Sequence, residues 1–253
     1  MPPSRPPSDT SRAALLLRKA HSLAGVLPVG VFIVCHLWAN AKALQGQDAF
    51  DGAVQTIWRL PYLPVLELAV LLPLAYHAAY GLTLVVRARY NVGRYPLSRN
   101  WMFALQRASG VLALAFIGFH LYGYWLPLRL GRTAAEDLYP MLCAGLSSAR
   151  AGVPLVGLAY VLGIAACAFH LANGLWGFCV SWGITVSRQA QRAAGVLFGI
   201  AGLVVFVLGA NTAVYFATGA RLALPSSSRT PAAAGSCGGP AGPAHGAASS
   251  GGR

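Results

Sequence analysis

The chain has 253 residues, 56% of them hydrophobic and only 10% charged, and a mean hydropathy of +0.57. That balance excludes an ordinary soluble domain and points to an integral membrane protein. The net charge of +13 does not signal nucleic acid, because the cations lie in connections between apolar spans, where they set topology and meet anionic headgroups.

Taken in order, residues 1–12 are polar and Pro-rich and read as disordered. No cleavable signal is visible, since the apolar run after Arg18 and Lys19 is too long for one. The first span is expected from about Ala20 to Asn40 and ends at the interfacial Trp38. A polar loop with Asp48, Asp51 and Arg59 follows. The second span runs from Pro64 to Val86, and the connection after it is strongly basic, with Arg87, Arg89, Arg94, Arg99 and Arg107. The third span, Trp101 to Leu126, is closed by Trp125 and Pro127. The next connection holds Arg129, Arg132, Glu136, Asp137 and Arg150, with a short interfacial helix around Leu138 to Leu146. The fourth span extends from Val153 to about Thr185 and the fifth from Ala193 to Phe216. The expected organisation is an all-α bundle over 13–220 and a low-complexity tail over 221–253, too poor in large apolar residues to order.

Five cysteines are too scattered for a disulfide framework, and without CxxC or CxxCH neither a zinc site nor a covalent haem is indicated. Cys35, Cys167 and Cys179 read as small membrane hydrophobes. Cys237 and His245 in the tail read as solvated bystanders. Orientation follows from the cations: the N-terminal segment and the second and fourth connections hold 11 Lys/Arg, against 5 in the two opposite connections. The N-terminus is therefore expected inside and, after five spans, the tail outside.

Four spans each carry one histidine deep among apolar residues: His36, His77, His120 and His170. An imidazole in hydrocarbon must be neutralised, hydrogen-bonded or coordinated, because an unpaired polar group there costs several kcal/mol. A structural, hydrogen-bonded role accounts for any one of them. Four such residues, one per span, suggest two bis-histidine haems. At a rise of ~1.5 Å per residue, His36 lies roughly 25 Å past Lys19, and His120 roughly 20 Å past Arg107, so both are outer. By the same rise His77 comes about 15 Å before Arg87 and His170 about 18 Å before Trp182, so both are deeper toward the inner side. Depth thus pairs His36 with His120 and His77 with His170, a two-step wire across the membrane. Bis-imidazole ligation leaves no open iron position, which favours electron transfer over oxygen chemistry. Gly25, Gly30, Gly81, Gly110, Gly118, Gly163 and Gly174 would admit a macrocycle, although small residues also serve helix packing. His21, beside Arg18 and Lys19 at the inner boundary, stays outside the ligand set.

Arg18, Ser22, Trp101 and Arg188 lie near the same boundary and could donate to haem propionates, although arginines there also serve as membrane anchors. Glu67 is the one acidic residue inside a predicted span, near the outer face. A carboxylate at an apolar boundary, its pKa free to rise on desolvation, suits proton exchange with a quinone ring. The alternatives are a side chain that reaches interfacial water or one that pairs with Arg59.

The segments RKAHSLAGVLPVGVFIVCH, LPLAYHAAYG, NWMFALQRASG and FHLANGLWGFCVSWGITV resemble the five-helix, di-haem cytochrome b subunit of succinate dehydrogenases and fumarate reductases. The similarity covers roughly Ser11 to Phe216. It implies that His36, His77, His120 and His170 are axial ligands of two haems b, in the pairing that depth gives. It also implies a bacterial inner-membrane anchor for a flavoprotein and an iron-sulfur subunit, exchanging electrons with a quinone, usually menaquinone. The glutamate that some fumarate reductases carry two residues before the last ligand is here Ala168, so that proton route is not carried over. The competing readings are a di-haem anchor for a hydrogenase or formate dehydrogenase, and a transporter with a histidine proton relay.

Overall fold

A computed structural model of the chain describes residues 9–221 and Cys237, and the described residues are helical with no strand. Five helical segments are long and apolar enough to cross a membrane: Arg12–Gln45, Leu63–Val86, Ser98–Arg129, Leu155–Ser181 and Arg188–Thr218. Their central apolar runs match the five predicted spans, and most extend beyond the predicted edges because flanking polar residues continue the helix into the interface. The first helix already begins at Asp9, inside the segment expected to be disordered. The rest of that segment and most of the tail, with His245, lie outside the described residues.

The first span is built in pieces. Helix α1 (Asp9–Ala24) passes through a π-helical stretch, Gly25–Gly30, into α2 (Val31–Asn40) and a 3-10 turn, Ala41–Gln45. Pro28 sits inside the π stretch, where its missing N–H breaks the regular ladder. Helix α3 (Gln47–Trp58) replaces the expected polar loop. Its signal was present, because Phe50, Ala53, Val54 and Ile57 follow the i, i+3, i+4, i+7 spacing of one helical face.

The second span is α4 (Leu63–Val86), and the third is α5 (Ser98–His120), continued by a π turn, Leu121–Trp125, into α6 (Leu126–Arg129). The predicted interfacial helix is α7 (Leu138–Ser147), and α8 (Leu155–Ser181) and α9 (Arg188–Thr218) form the last two spans. Ser187 caps α9 by accepting the Ala190 N–H at 3.1 Å, and Gly219, at φ 74°, ends it in the left-handed conformation that glycine adopts without strain.

Alternation of direction gives the bundle two ends. One end, here the cap end, gathers the 3-10 turn, α3, α7 and the C-terminal part of α9. The other, the basic end, gathers α1 and the connections 87–97 and 182–187. Along α8 and α9 the backbones meet through small residues: a Cβ on Gly157 would lie 2.7 Å from that of Ala217, and one on Gly202 2.6 Å from that of Ala172. Lipid supplies no hydrophobic drive between spans, so this close approach is what dispersion needs to hold them together.

The most buried cluster lies at the cap end. Phe50, Tyr139 and Phe216 meet edge to face with ring centres 5.5–5.7 Å apart, over the buried Leu142 and Leu146. The Tyr139 and Tyr215 hydroxyls lie 3.1 Å apart, and burial, followed by that hydrogen bond, pushes the Tyr139 pKa up. Cys237 joins this cluster, 5% exposed and disulfide-bonded to Cys143 of α7. This corrects the reading of Cys237 as a solvated bystander, and gives one disulfide where the scattered cysteines suggested no framework. The two thiols are 94 residues apart in sequence, and only the cap brings them together. Cys35, Cys167 and Cys179 are free.

Candidate functional site

Helices α4 and α8 run antiparallel to α2 and α5, so four histidines from four spans converge as two pairs at two depths. Near the basic end, His77 and His170 have ring centres 6.0 Å apart and planes at 88°. Near the cap end, His36 and His120 are 5.7 Å apart at 77°. These are the partners that depth selected. Two imidazoles sharing one metal, with bonds of about 2 Å each, place their ring centres about 6 Å apart. Among the described residues no three His, Cys, Asp or Glu side chains converge on a point. The donor set is therefore two nitrogens per site, which suits an iron whose remaining positions come from a macrocycle rather than a protein-only metal centre.

Each imidazole of the basic-end pair is oriented by a carbonyl of a neighbouring helix. His77 Nδ1 donates to the His21 carbonyl at 2.9 Å, and His170 Nδ1 to the Gln106 carbonyl at 3.0 Å. A carbonyl only accepts, so Nδ1 carries the proton and Nε2 keeps its lone pair, the tautomer that a ligating histidine needs. Gln106 is held in turn: its Nε2 donates to the His170 carbonyl at 3.1 Å, and Asn173 Nδ2 donates to its Oε1 at 2.8 Å.

Glycine makes room for both rings. A Cβ on Gly25 would come within 2.3 Å of His77 Cε1, and one on Gly110 within 2.8 Å of His170 Cε1. Of the other glycines singled out from sequence, Gly81 faces His21, while Gly30, Gly163 and Gly174 face Leu171, Phe116 and Gln106, and Gly118 faces open space.

At the cap-end pair, His120 Nδ1 lies 3.1 Å from the Tyr160 hydroxyl, and Asn40 Nδ2 donates to the His36 carbonyl at 2.8 Å. Phe32 stacks on His36 at 5.2 Å, and Phe116, Tyr124 and Tyr160 surround His120. Sequence reasoning missed Asn40, Gln106, Tyr160 and Asn173. Their signal was the one used for the histidines: polar atoms in apolar runs, which need partners.

His21 is more closely involved than its boundary position suggested. Its ring stacks on His77 at 4.0 Å with planes 12° apart, and its Nδ1 is buried with no hydrogen-bond partner among the described residues. Ser22 beside it donates to the Lys19 carbonyl at 2.9 Å and accepts from Trp182 Nε1 at 3.0 Å. Trp101 is 50% exposed on the first turn of α5, and Arg188 lines a groove between α5, α8 and α9 rather than the histidine pair.

Glu67, on the first turns of α4, is placed at the cap end. Its Oε1 accepts from Trp125 Nε1 at 3.3 Å and forms an ion pair with Arg129, whose guanidinium also covers the Trp58 ring at 4.7 Å. The carboxylate is 21% exposed and Arg129 27%. Arg59 is not its partner, because Arg59 donates to Gln55 within α3. Glu67 thus joins α3, α4 and α6 around one half-buried charge.

Residues 87–210 match the family described as succinate dehydrogenase/fumarate reductase transmembrane subunit. The chain is 40% identical to the succinate dehydrogenase cytochrome b558 subunit of Bacillus subtilis (strain 168) over 176 residues, which cover 69% of this chain and 83% of that protein. No solved structure matches. Five apolar helices, histidines paired between them and this likeness over most of a relative's length lead to one conclusion: the chain belongs to the family of succinate dehydrogenase/fumarate reductase cytochrome b membrane subunits.

Proposed function

We propose that this subunit carries electrons between an iron-sulfur partner and menaquinone through two haems b, one held by His77 and His170 and the other by His36 and His120. One observation carries the reading: two imidazole pairs, each shared between two helices, stand at the separation that a bridged metal requires. Haem, when bound, supplies a one-electron couple at iron. The chain's own residues set its frame. His21 and Gln106 fix the tautomers of the basic-end ligands through their carbonyls, and Gly25 and Gly110 open the space beside them. Gly110 faces His170 while His120 lies ten residues further along α5, so the two sites differ in depth by about 15 Å. Ser22 and Trp101 are the candidates for propionate contact. His21 joins them, since its buried Nδ1 has no partner among the described residues.

The basic end faces the cytoplasm in this reading, and the flavoprotein and iron-sulfur subunits dock there, with the chain in a bacterial cytoplasmic membrane. Arg12, Arg18 and Lys19 of α1 and Arg87, Arg89, Arg94, Arg99, Arg188 and Arg192 lie at this end, which matches a cation-rich inside. At the cap end Glu67 takes up and returns a proton at its carboxylate for the quinone, with Arg129 and Trp125 holding the group in place.

Single histidine-to-alanine variants of the purified complex test the pairing. His77→Ala and His170→Ala each remove one and the same haem from the reduced-minus-oxidised spectrum, and His36→Ala and His120→Ala each remove the other. Loss of different haems within either pair overturns the assignment.

A further inference from the structure

On the side of α8 away from the His77 pair, α5, α8 and α9 enclose a groove of about 920 Å³ that opens at the basic end. Its mouth carries Arg99, Arg188 and Arg192. Among the described residues no carboxylate lines it, and none of the three guanidiniums is in an ion pair. Arg99 donates to Gln191 Oε1 at 3.1 Å, and Trp176 Nε1 donates to the Gln191 carbonyl at 2.9 Å, so the mouth is tied across all three helices. Below it the walls turn apolar, with Phe169, Leu203 and Phe206, and Leu203 is 60% exposed at the rim.

We propose that this groove seats one anionic phospholipid, its phosphate at the three arginines and an acyl chain along α9. Charge and length both select that occupant. Three guanidiniums without an ion-pair partner at the edge of hydrocarbon call for an anion, as juxtamembrane arginines attract acidic headgroups. From Arg192 to Phe206 the groove descends about 21 Å along the helix, a depth that a soluble subunit docked on the mouth does not enter. A quinone would fill the apolar part but presents no anion to the guanidiniums. The lipid would cover the seam between α8 and α9 beside Gly199, where an added Cβ meets no described atom within 4 Å.

The test is native mass spectrometry of the detergent-purified complex, delipidated and then titrated with phosphatidylglycerol, phosphatidylcholine or menaquinone. The expected result is one retained phosphatidylglycerol per chain and little phosphatidylcholine, with retention falling tenfold or more in Arg99→Gln/Arg192→Gln. A second variant guards against a folding artefact. Gly199 lines the groove and has no described atom within 4 Å of an added Cβ, so the side chain in Gly199→Leu starts from open space in the groove. It is expected to lose the lipid with both haem spectra intact. Equal retention of the two lipids, retention unchanged in either variant, or menaquinone held in place of lipid would each overturn the proposal.

Discussion

The contact between Tyr160 and His120 offers the most direct test of His120 as the proposed ligand of the cap-end haem. If His120 ligates through Nε2, its Nδ1 must carry the proton, so the Tyr160 oxygen 3.1 Å away is the acceptor. Accepting that hydrogen bond makes the imidazole a better donor to iron and favours the ferric state. Tyr160→Phe removes the acceptor while keeping the ring that packs against Phe116 and Phe119 at 5.1 and 6.0 Å. A hydrogen bond of this kind is worth about 0.5–1.5 kcal/mol. At 59 mV per tenfold change in equilibrium for one electron, the cap-end haem should rise in potential by roughly 20–65 mV. A spectroelectrochemical titration resolves the two haems, and the basic-end couple serves as internal reference, since Tyr160 does not touch His77 or His170. An unchanged potential, a fall, or an equal shift in both haems would refute the assignment of Tyr160 as the group that orients His120.

Two further predictions concern the cap end. Glu67→Gln should retain both haem spectra and dye-linked succinate oxidation while quinone-linked turnover collapses; the lost ion pair with Arg129, partly exposed, should cost only about 1 kcal/mol of stability. Full quinone activity in that variant would remove Glu67 from proton exchange. The Cys143–Cys237 disulfide requires an oxidising compartment, so peptide mapping without reductant should recover the two cysteines in one linked species, and a reporter fused after Ala220 should behave as extracytoplasmic. A reduced Cys237 in material from intact cells, together with a cytoplasmic reporter signal, would reverse the orientation proposed for the bundle.

Much of this architecture is written in one dimension. Apolar runs long enough to cross a bilayer establish five helices, because a chain in lipid must satisfy its own backbone. Residue count along a regular helix then gives depth, which is why the sequence alone pairs His36 with His120 across 84 positions. Depth carries no information about rotation around a helix axis, or about which neighbour a helix chooses. Tertiary structure alone therefore brought the His21 ring onto His77, the Gln106 carbonyl to His170 and the Tyr160 hydroxyl to His120. It also replaced Arg59 with Arg129 as the partner of Glu67, since the turn after α3 directs Arg59 back along its own helix while α6 delivers Arg129 across the cap. The disulfide was hidden for the same reason. Cys143 and Cys237 carry no spacing motif, and their meeting depends on α7 folding over the end of α9, a packing of aromatic faces that no local pattern specifies.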